Sequence, residues 1–419
     1  WVERYLEEIV VLGKSEKRLI LAVLTGMFFI GMAATDIYIS SLPQMVKDFM
    51  TVEPKVNLTL SVYFLGIALS VLFVGEISNR YGRRATILGG VFVFAIASFI
   101  ISIANSLNII IAMRFMQSIG TAIIVVVPRL LLKDCMDERE QIAANGVLLM
   151  GLIISPAIAP VIGAFLAKYW GWRSCFLFSG VLSLIFLGIA YKIIPETNHN
   201  ILIKFHSTQH YLKLYKSVLI DKLFWVMTIV YACGVGAYFA FIGISSYLYI
   251  DQWKMSPGKY ATLYFWLSGA YLLGNQVMQF LNKKAFSSSK IIAFGVYASF
   301  FGLLIIVVAE FLTDISLKIA ITTFGILFIR AANALINPPT QIRMMKYFNH
   351  SSAQALGLNM CIGFGTMGIA TFLVSFFISM PLLGLIIVSG GFVLVCFIVF
   401  SLYYNIIIQG EISESSSSK

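Results

Sequence analysis

Charge is scarce in this sequence. Asp, Glu, Lys and Arg make up 12% of its 419 residues, whereas soluble domains carry about 25%. Hydrophobic residues make up 59%, and the mean hydropathy is +0.90. A chain with so little charge cannot cover its surface with water-facing side chains, which excludes a cytosolic enzyme and a disordered protein. The five cysteines are odd in number and scattered, which excludes a disulfide-stapled secreted domain.

Long apolar runs take the place of the missing charge. Stretches such as 19–39 and 85–104 lack the alternation of apolar and polar residues that marks the strands of a transmembrane β-barrel. A spanning helix needs about 20 mostly apolar residues. Twelve such segments lie near residues 19–41, 57–77, 85–105, 108–132, 141–168, 173–194, 223–250, 258–281, 290–312, 316–345, 350–379 and 381–408. The sequence therefore predicts an all-α polytopic membrane protein with twelve transmembrane helices in two six-helix bundles.

The longest polar stretch inside the chain divides the twelve segments six and six. The predicted organisation is an amino-terminal cytoplasmic or interfacial segment (1–18), an amino-terminal bundle (19–194), a central cytoplasmic loop (195–222), a carboxy-terminal bundle (223–408) and a disordered tail (409–419). In the central loop His206 and His210 are spaced i,i+4. No Cys or carboxylate pattern accompanies them, so no metal site is expected.

The net charge of +11 fits a membrane protein. In helical membrane proteins Lys and Arg concentrate in the cytoplasmic loops. With the loops assigned alternately to two sides, 21 of the 30 Lys and Arg fall on the side of the amino terminus and seven on the other. This asymmetry predicts that both termini are cytoplasmic, in the plasma (bacterial inner) membrane, and no nucleic-acid partner is expected.

Three charged residues, Asp36, Arg114 and Arg330, lie well inside predicted spans. Charges are costly there and indicate function by default. Asp36 lies near the outer end of the first span, where burial would favour its neutral form and let it carry a proton. The alternative is an interfacial carboxylate wetted from outside. Proton coupling is therefore assigned to Asp36 together with Arg114.

Polar side chains recur at helical spacing in spans of both predicted bundles. Two of these polar faces contain Arg114 and Arg330. The residues predicted to line a substrate cavity are Tyr38, Gln117, Ser118, Thr121, Tyr231, Tyr238, Ser268, Tyr271, Asn275, Arg330, Asn333 and Asn337. Residues at +3, +4 and +7 share one face of a helix, and a polar face that contains Arg favours a wet cavity. Hydrogen bonding between helices, the commoner role of polar residues in spans, stays open as the alternative.

Three sequence signatures are similar to those of a known family. The segment from Gly75 to Arg84 reads Gly-Glu-Ile-Ser-Asn-Arg-Tyr-Gly-Arg-Arg and resembles the signature loop of the major facilitator superfamily. Arg114 with Gly120 resembles a second signature of that family. The segment 151–164 resembles its antiporter motif in the fifth span. The resemblance covers nearly the whole chain and implies the major facilitator fold.

Finer details, including residues 36–38 and 195–197, resemble the Bcr/CflA drug-resistance branch, whose members are drug:proton antiporters. Asn79 stands where the family has Asp, which is expected to weaken the charge relay of the signature loop. Ser155 stands where the family usually has Gly before Pro. Arg330 has no counterpart in the pattern of the branch.

The resemblance implies that the signature loop and the fifth span control conformational change. The implied gating residues are Gly75, Asn79, Arg80, Gly82, Arg83, Arg84, Ser155, Pro156, Pro160 and Gly163. Glycine permits close approach of helices, proline softens a helix by removing a backbone donor, and arginine binds acidic groups and lipid headgroups. A topology anchor is the alternative role of the basic residues.

The sequence contains no nucleotide-binding loop and no catalytic triad or paired carboxylates, so an enzyme is not expected. No cofactor is expected, and the proton gradient is the expected source of energy. With the resemblance, these features predict a proton-coupled antiporter that exports small amphipathic compounds or drugs by alternating access. The expected partners are the substrate, protons and membrane lipids, and the expected state is a monomer. The alternatives are an importer or exporter of a specific metabolite, such as a siderophore or an amino acid, and a transporter-like receptor.

Arg330 indicates the class of substrate that the protein would carry. An unpaired guanidinium is most costly near the middle of a span, so it requires a partner. Asp36 is one candidate, and a structural pairing within its own half is another. Because an arginine fork binds a carboxylate bidentately, the polar face of Arg330 also predicts substrates that are zwitterionic or carry a carboxylate, with aromatic rings packed on Tyr238 and Tyr271.

Overall fold

Helices account for the regular structure of the part of the chain that the computed structural model describes, residues 13–198, 215–348 and 351–404. Twelve long helices follow in order: α1 Lys14–Asp36, α2 Glu53–Tyr81, α3 Arg83–Ile103, α4 Leu107–Cys135, α5 Glu138–Trp170, α6 Arg173–Ile193, α7 Lys222–Ser246, α8 Pro257–Lys283, α9 Ser288–Glu310, α10 Ile315–Tyr347, α11 Ser352–Val374 and α12 Pro381–Leu402. The predicted all-α polytopic fold is confirmed. The predictions for the interfacial segment, the two central-loop histidines and the tail fall outside the described residues.

Ten helical segments in these ranges are long and apolar enough to cross a membrane. Within α5 the segment Ile154–Trp170 is a further, shorter apolar helix among the described residues. The remaining long helix is α8. In α8 the polar stripe that contains Ser268 and Asn275 lowers the hydropathy of the helix. Polar residues inside a span are therefore concentrated where the sequence predicts a functional face.

Local side chains determine where several helices begin and end. The first span was predicted to reach residue 41, but α1 ends at Asp36 and a short helix, Leu42–Asp48, follows a turn. Pro43 at the start of that short helix has no backbone N–H, so it fits the first turn of a new helix. Asp221 and Asp314 cap α7 and α10, because each carboxylate accepts a backbone N–H of the first turn.

Packing groups the chain into two compact units. Unit 1 comprises Trp1–Ile39 and Leu69–Lys204, and unit 2 comprises Ser40–Ala68 and Phe205–Lys419. The helix α2 is divided between them. Its first half contacts α7 and α11 within unit 2, where Asn57 Nδ2 donates to the carbonyl of Gly243 at 2.8 Å. The domain limits given by the sequence stay a prediction.

Glycines permit close helix crossings in both units. In unit 1 a Cβ added to Gly120 of α4 would lie 2.5 Å from the carbonyl oxygen of Gly90 in α3. In unit 2 a Cβ added to Gly302 of α9 would lie 2.6 Å from the carbonyl oxygen of Gly325 in α10. Such crossings bring backbones into van der Waals contact, which is how helices associate in a solvent as apolar as their own side chains.

The α3–α4 crossing gives a stability prediction. The Gly120→Ala variant should lower stability by about 1–3 kcal/mol, the usual cost of overpacking a close contact. The measurement is the apparent melting temperature of the purified protein in detergent. Gly89→Ala is the matched control, because a Cβ there meets nothing within 4 Å. Equal melting temperatures for the two variants would contradict the close crossing.

Candidate functional site

The carboxylate of Asp36 lies at the carboxyl end of α1, half-buried and within reach of α5. Its Oδ2 accepts a hydrogen bond from the hydroxyl of Ser155 at 2.9 Å. Ser155 is fully buried. The helix dipole opposes a negative charge at this end of α1, and no basic residue occupies its last turn. The donated hydrogen bond acts in the opposite sense, because it stabilises the ionised carboxylate.

A glycine lets α5 come this close to α1. A Cβ added to Gly163 would overlap the carbonyl oxygen of Ile37. Pro156 and Pro160 also lie inside α5, where each removes one backbone hydrogen bond. The segment predicted to resemble the antiporter motif is therefore packed against the residue predicted to carry the proton.

Arg114 of α4 is fully buried and binds the end of α1. Its Nη1 donates to the carbonyl of Ala34 at 3.1 Å, and its Nη2 donates to the hydroxyl of Thr35 at 3.3 Å. Ala34 is in the last turn of α1, whose carbonyls have no partner within the helix. A cation at this end of a helix is also stabilised by its dipole. Arg114 thus caps the helix that ends in Asp36.

The same guanidinium contacts two aromatic rings and one amide. Its carbon lies 4.9 Å from the ring centre of Tyr38 and 5.9 Å from that of Phe176. Its Nη1 also donates to Gln117 Oε1 at 2.6 Å, and Gln117 Nε2 donates to the hydroxyl of Ser98 at 2.7 Å. A hydrogen-bonded chain therefore runs from α1 through α4 to α3. Cation–π contact with desolvated rings adds to it.

Two further residues of the α4 stripe bond to their own helix. The hydroxyl of Ser118 donates to the carbonyl of Phe115 at 2.6 Å, and that of Thr121 donates to the carbonyl of Gln117 at 3.2 Å. Both residues are fully buried. Their assignment to a substrate cavity stays a prediction.

In unit 2 the predicted residues Tyr238, Tyr271 and Arg330 come together from α7, α8 and α10. The guanidinium carbon of Arg330 lies 4.3 Å from the ring centre of Tyr238 and 4.6 Å from that of Tyr271. The rings predicted to pack on a substrate thus also pack on the arginine. The Nε atom of Arg330 is buried and has no hydrogen-bond acceptor.

Other residues of unit 2 that were predicted to line the cavity are buried or half-buried, and several have unpaired polar atoms. Asn333 and Asn337 follow Arg330 on the same face of α10, and the Oδ1 atoms of both are buried without a partner. The hydroxyl of Ser268 in α8 is likewise buried without one. Tyr231 is buried in α7 against Gly363, and Asn275 is half-buried in α8.

The signature loop is almost entirely helical, because only Gly82 separates α2 from α3. Arg83 is buried and makes an ion pair with Asp134 at 2.9 Å. It also donates to the Oδ1 of Asn79 at 2.7 Å. Asn79, which stands where the family has aspartate, therefore accepts a hydrogen bond from Arg83 without carrying a negative charge. Arg84 donates to the carbonyl of Tyr191 at 2.6 Å.

Glu196 holds this junction together. Its carboxylate accepts the backbone N–H groups of Arg83 at 2.8 Å and Arg84 at 3.1 Å, in the first turn of α3. It also accepts those of Thr197 and Asn198. Gly82 has a φ of 89°, and a Cβ there would overlap the Glu196 carboxylate. A carboxylate at a helix amino terminus is favoured by the dipole.

The remaining predicted gating residues have fewer contacts. Arg80 is exposed and lies 5.3 Å from the ring centre of Tyr81. A Cβ added to Gly75 would meet nothing within 4 Å, so no close approach explains this glycine.

Sequence reasoning assigned no role to several residues that contact the site. These are Thr35, Ser98, Asp134, Phe176 and Glu196. Glu196 gave a signal, because it belongs to a segment that resembles the Bcr/CflA branch. The others carry no pattern of their own, since their partners are distant in the chain.

The comparisons with known proteins agree with the fold. The family description "Major Facilitator Superfamily" matches residues 24–372. A protein of Rickettsia felis named an uncharacterized transporter is 28% identical over 324 residues, 76% of this chain and 80% of that protein. The chloramphenicol resistance protein of Pseudomonas aeruginosa is 25% identical over 346 residues, 81% of this chain and 80% of that protein. Multidrug resistance protein D of Escherichia coli is 35% identical over 181 residues, 42% of this chain and 45% of that protein.

Solved structures share the fold at low sequence identity. A bacterial homologue of the human lysosomal transporter Spinster superposes with a TM-score of 0.76 at 12% identity, over 96% of this chain and 99% of that chain. A D-xylose–proton symporter superposes with a TM-score of 0.69 at 14% identity, over 93% of this chain and 98% of that chain.

The Glu196 junction gives a second prediction. The Glu196→Gln variant offers one acceptor oxygen to four backbone N–H groups, so the apparent melting temperature should fall. Hydrogen bonds to charged groups contribute about 1.5–3 kcal/mol. Glu310→Gln is the control, because Glu310 is exposed at the end of α9. A Glu196→Gln protein as stable as this control would show that the junction does not depend on the carboxylate charge.

Proposed function

Because the chain belongs to the major facilitator superfamily, we propose that it is a proton-coupled antiporter that exports small amphipathic compounds. Transport is the activity of this family, and two of its relatives are named for drug resistance. Export in exchange for protons is the step that goes beyond the family.

The observation that carries the proposal is the Asp36–Ser155 hydrogen bond at the end of α1. A proton carrier must be accessible to water in some state, and Asp36 is half-buried rather than enclosed. It must also be held by groups that respond to its charge. Ser155 meets that need directly, and Arg114 holds the backbone of the last turn of α1.

The distribution of Lys and Arg among the loops supports the proposed orientation in the membrane. The threefold excess of Lys and Arg on one set of loops favours an inner-membrane protein with both termini in the cytoplasm. A proton gradient directed inwards would then protonate Asp36 from outside. Neutralisation of Asp36 would favour release of the exported compound.

Loss of the carboxylate tests coupling. The Asp36→Asn variant should reduce gradient-driven accumulation of dye in inverted vesicles to the background without a gradient, because an amide does not take up a proton. The variant should remain folded, with an unchanged elution profile in detergent. Glu310→Gln is the control. Full accumulation by Asp36→Asn would contradict the assignment of the proton carrier.

Loss of the serine hydroxyl tests how coupling is tuned. Ser155→Ala removes the donor that binds the Asp36 carboxylate, so gradient-driven accumulation should fall. The lost hydrogen bond is worth about 0.5–1.5 kcal/mol, which corresponds to a roughly two- to tenfold decrease.

Ser155→Thr keeps a hydroxyl and is the matched control, with accumulation close to that of the unaltered protein. An equal decrease in both variants would indicate a packing effect. Unchanged accumulation by Ser155→Ala would separate Ser155 from coupling.

A further inference from the structure

We propose that Arg330 is the anion-binding group of a substrate subsite in unit 2, and that this subsite takes an amphoteric organic compound by its carboxylate. The inference rests on the proposed transport function, and it names the class of compound carried.

The guanidinium is held in place by aromatic rings. Tyr238 of α7 and Tyr271 of α8 lie at cation–π distance from it, 4.3 and 4.6 Å from ring centre to guanidinium carbon. Contacts of this kind stabilise a cation without neutralising it. They also leave the donors at the edge of the guanidinium plane for another group, since rings interact through their faces.

Among the described residues, none provides an acceptor for the Nε–H edge of Arg330. Arg330 Nε is buried without a hydrogen-bond partner, and among the described residues of unit 2 no carboxylate forms an ion pair with Arg330. A buried, unsatisfied charged donor costs more than a neutral one. A ligand that brings an acceptor would remove this cost.

Arg114 shows what a structural arginine looks like in the same protein. It too contacts a tyrosine, Tyr38, in the turn that follows the first helix of its half, at 4.9 Å. Its donors, however, are bound to a backbone carbonyl, a hydroxyl and the amide of Gln117. Arg114 and Arg330 each lie in the fourth span of their half. The buried nitrogens of Arg114 have acceptors, whereas Nε of Arg330 has none.

Acceptor atoms on the same face of α10 indicate the second charge of the compound. The Oδ1 atoms of Asn333 and Asn337 are buried without donors. The orientation of Asn333 is set by its own Nδ2, which donates to the carbonyl of Ile329 at 3.1 Å. Amide oxygens bind ammonium and N–H groups. A guanidinium edge beside free acceptors therefore fits a compound with both a carboxylate and a positively charged nitrogen group.

The test compares two dyes that differ at one group. Rhodamine B has a free carboxylate and is a zwitterion, whereas its ethyl ester is a cation with the same rings. The dissociation constants of both dyes are measured on the purified full-length protein in detergent by fluorescence anisotropy. We expect rhodamine B to bind at least about tenfold more tightly than the ester, because charge-assisted bidentate pairs are the strong ones.

Variants at Arg330 assign the preference. Arg330→Lys keeps the charge and loses the fork, so the preference should fall several-fold. Arg330→Gln should abolish the preference, since a neutral amide cannot form the ionic pair with the carboxylate. Arg173→Lys is the matched control, because Arg173 also stacks on a ring, that of Trp172 at 4.4 Å, but lies in unit 1.

A competition experiment identifies the oxyanion. Displacement of rhodamine B by benzoate and not by inorganic phosphate supports a carboxylate subsite. Displacement by phosphate alone contradicts it.

Stability measurements separate ligand binding from a structural role. Without ligand, Arg330→Met should melt no lower than the unaltered protein, because it removes a buried donor that lacks a partner. Arg114→Met should melt lower, since it leaves several acceptors unpaired.

Three outcomes would overturn the inference: equal affinity of the unaltered protein for the two dyes, no binding of rhodamine B, or a preference that survives Arg330→Gln. Binding needs no proton gradient, so these results are independent of coupling. Gradient-driven export of the ester without any carboxylate preference would support the proposed function and refute the subsite.

Discussion

A guanidinium inside an apolar helix bundle persists only where other groups replace the water it has lost. In unit 1 this constraint links three helices. Arg114 takes its acceptors from the last turn of α1, its own helix and, through Gln117, from α3. The carbonyls at the end of α1 need donors in any case, so one buried side chain satisfies two needs. The position of Asp36 follows from this contact, because Asp36 is the residue at which α1 ends.

Close backbone contact is the condition for such short-range chemistry. The hydroxyl of Ser155 reaches Asp36 because α5 passes directly over the end of α1 at Gly163. A side chain at that glycine would separate the two helices and break the hydrogen bond. The replacement of the usual glycine by Ser155 therefore changes the polarity of the contact, while the glycine that brings the helices together is retained.

Much of the fold could be predicted from the sequence, because a spanning helix is defined by the length of its apolar run. The ends were harder. The first span was predicted five residues too long, since Ile37, Tyr38 and Ile39 continue the apolar run past Asp36. Arg330 was identified by the cost of its burial, and Arg114 by that cost and by its resemblance, with Gly120, to a family signature. Their ring contacts could not be assigned as such, because each ring lies on another helix far away in the chain.

Arg114 and Arg330 occupy similar positions in the two halves but differ in their hydrogen bonding. Both lie in the fourth span of a half, and each contacts a tyrosine associated with the first span of that half. The shared position does not explain why only Arg114 has acceptors for its buried donors. Under the proposed function, a fixed network suits the half that contains Asp36, because the helix end would keep its geometry as the carboxylate gains and loses a proton. Under the proposed subsite, an open donor suits the half that contains Arg330, since a guanidinium already satisfied by the protein would have no donor left for a compound.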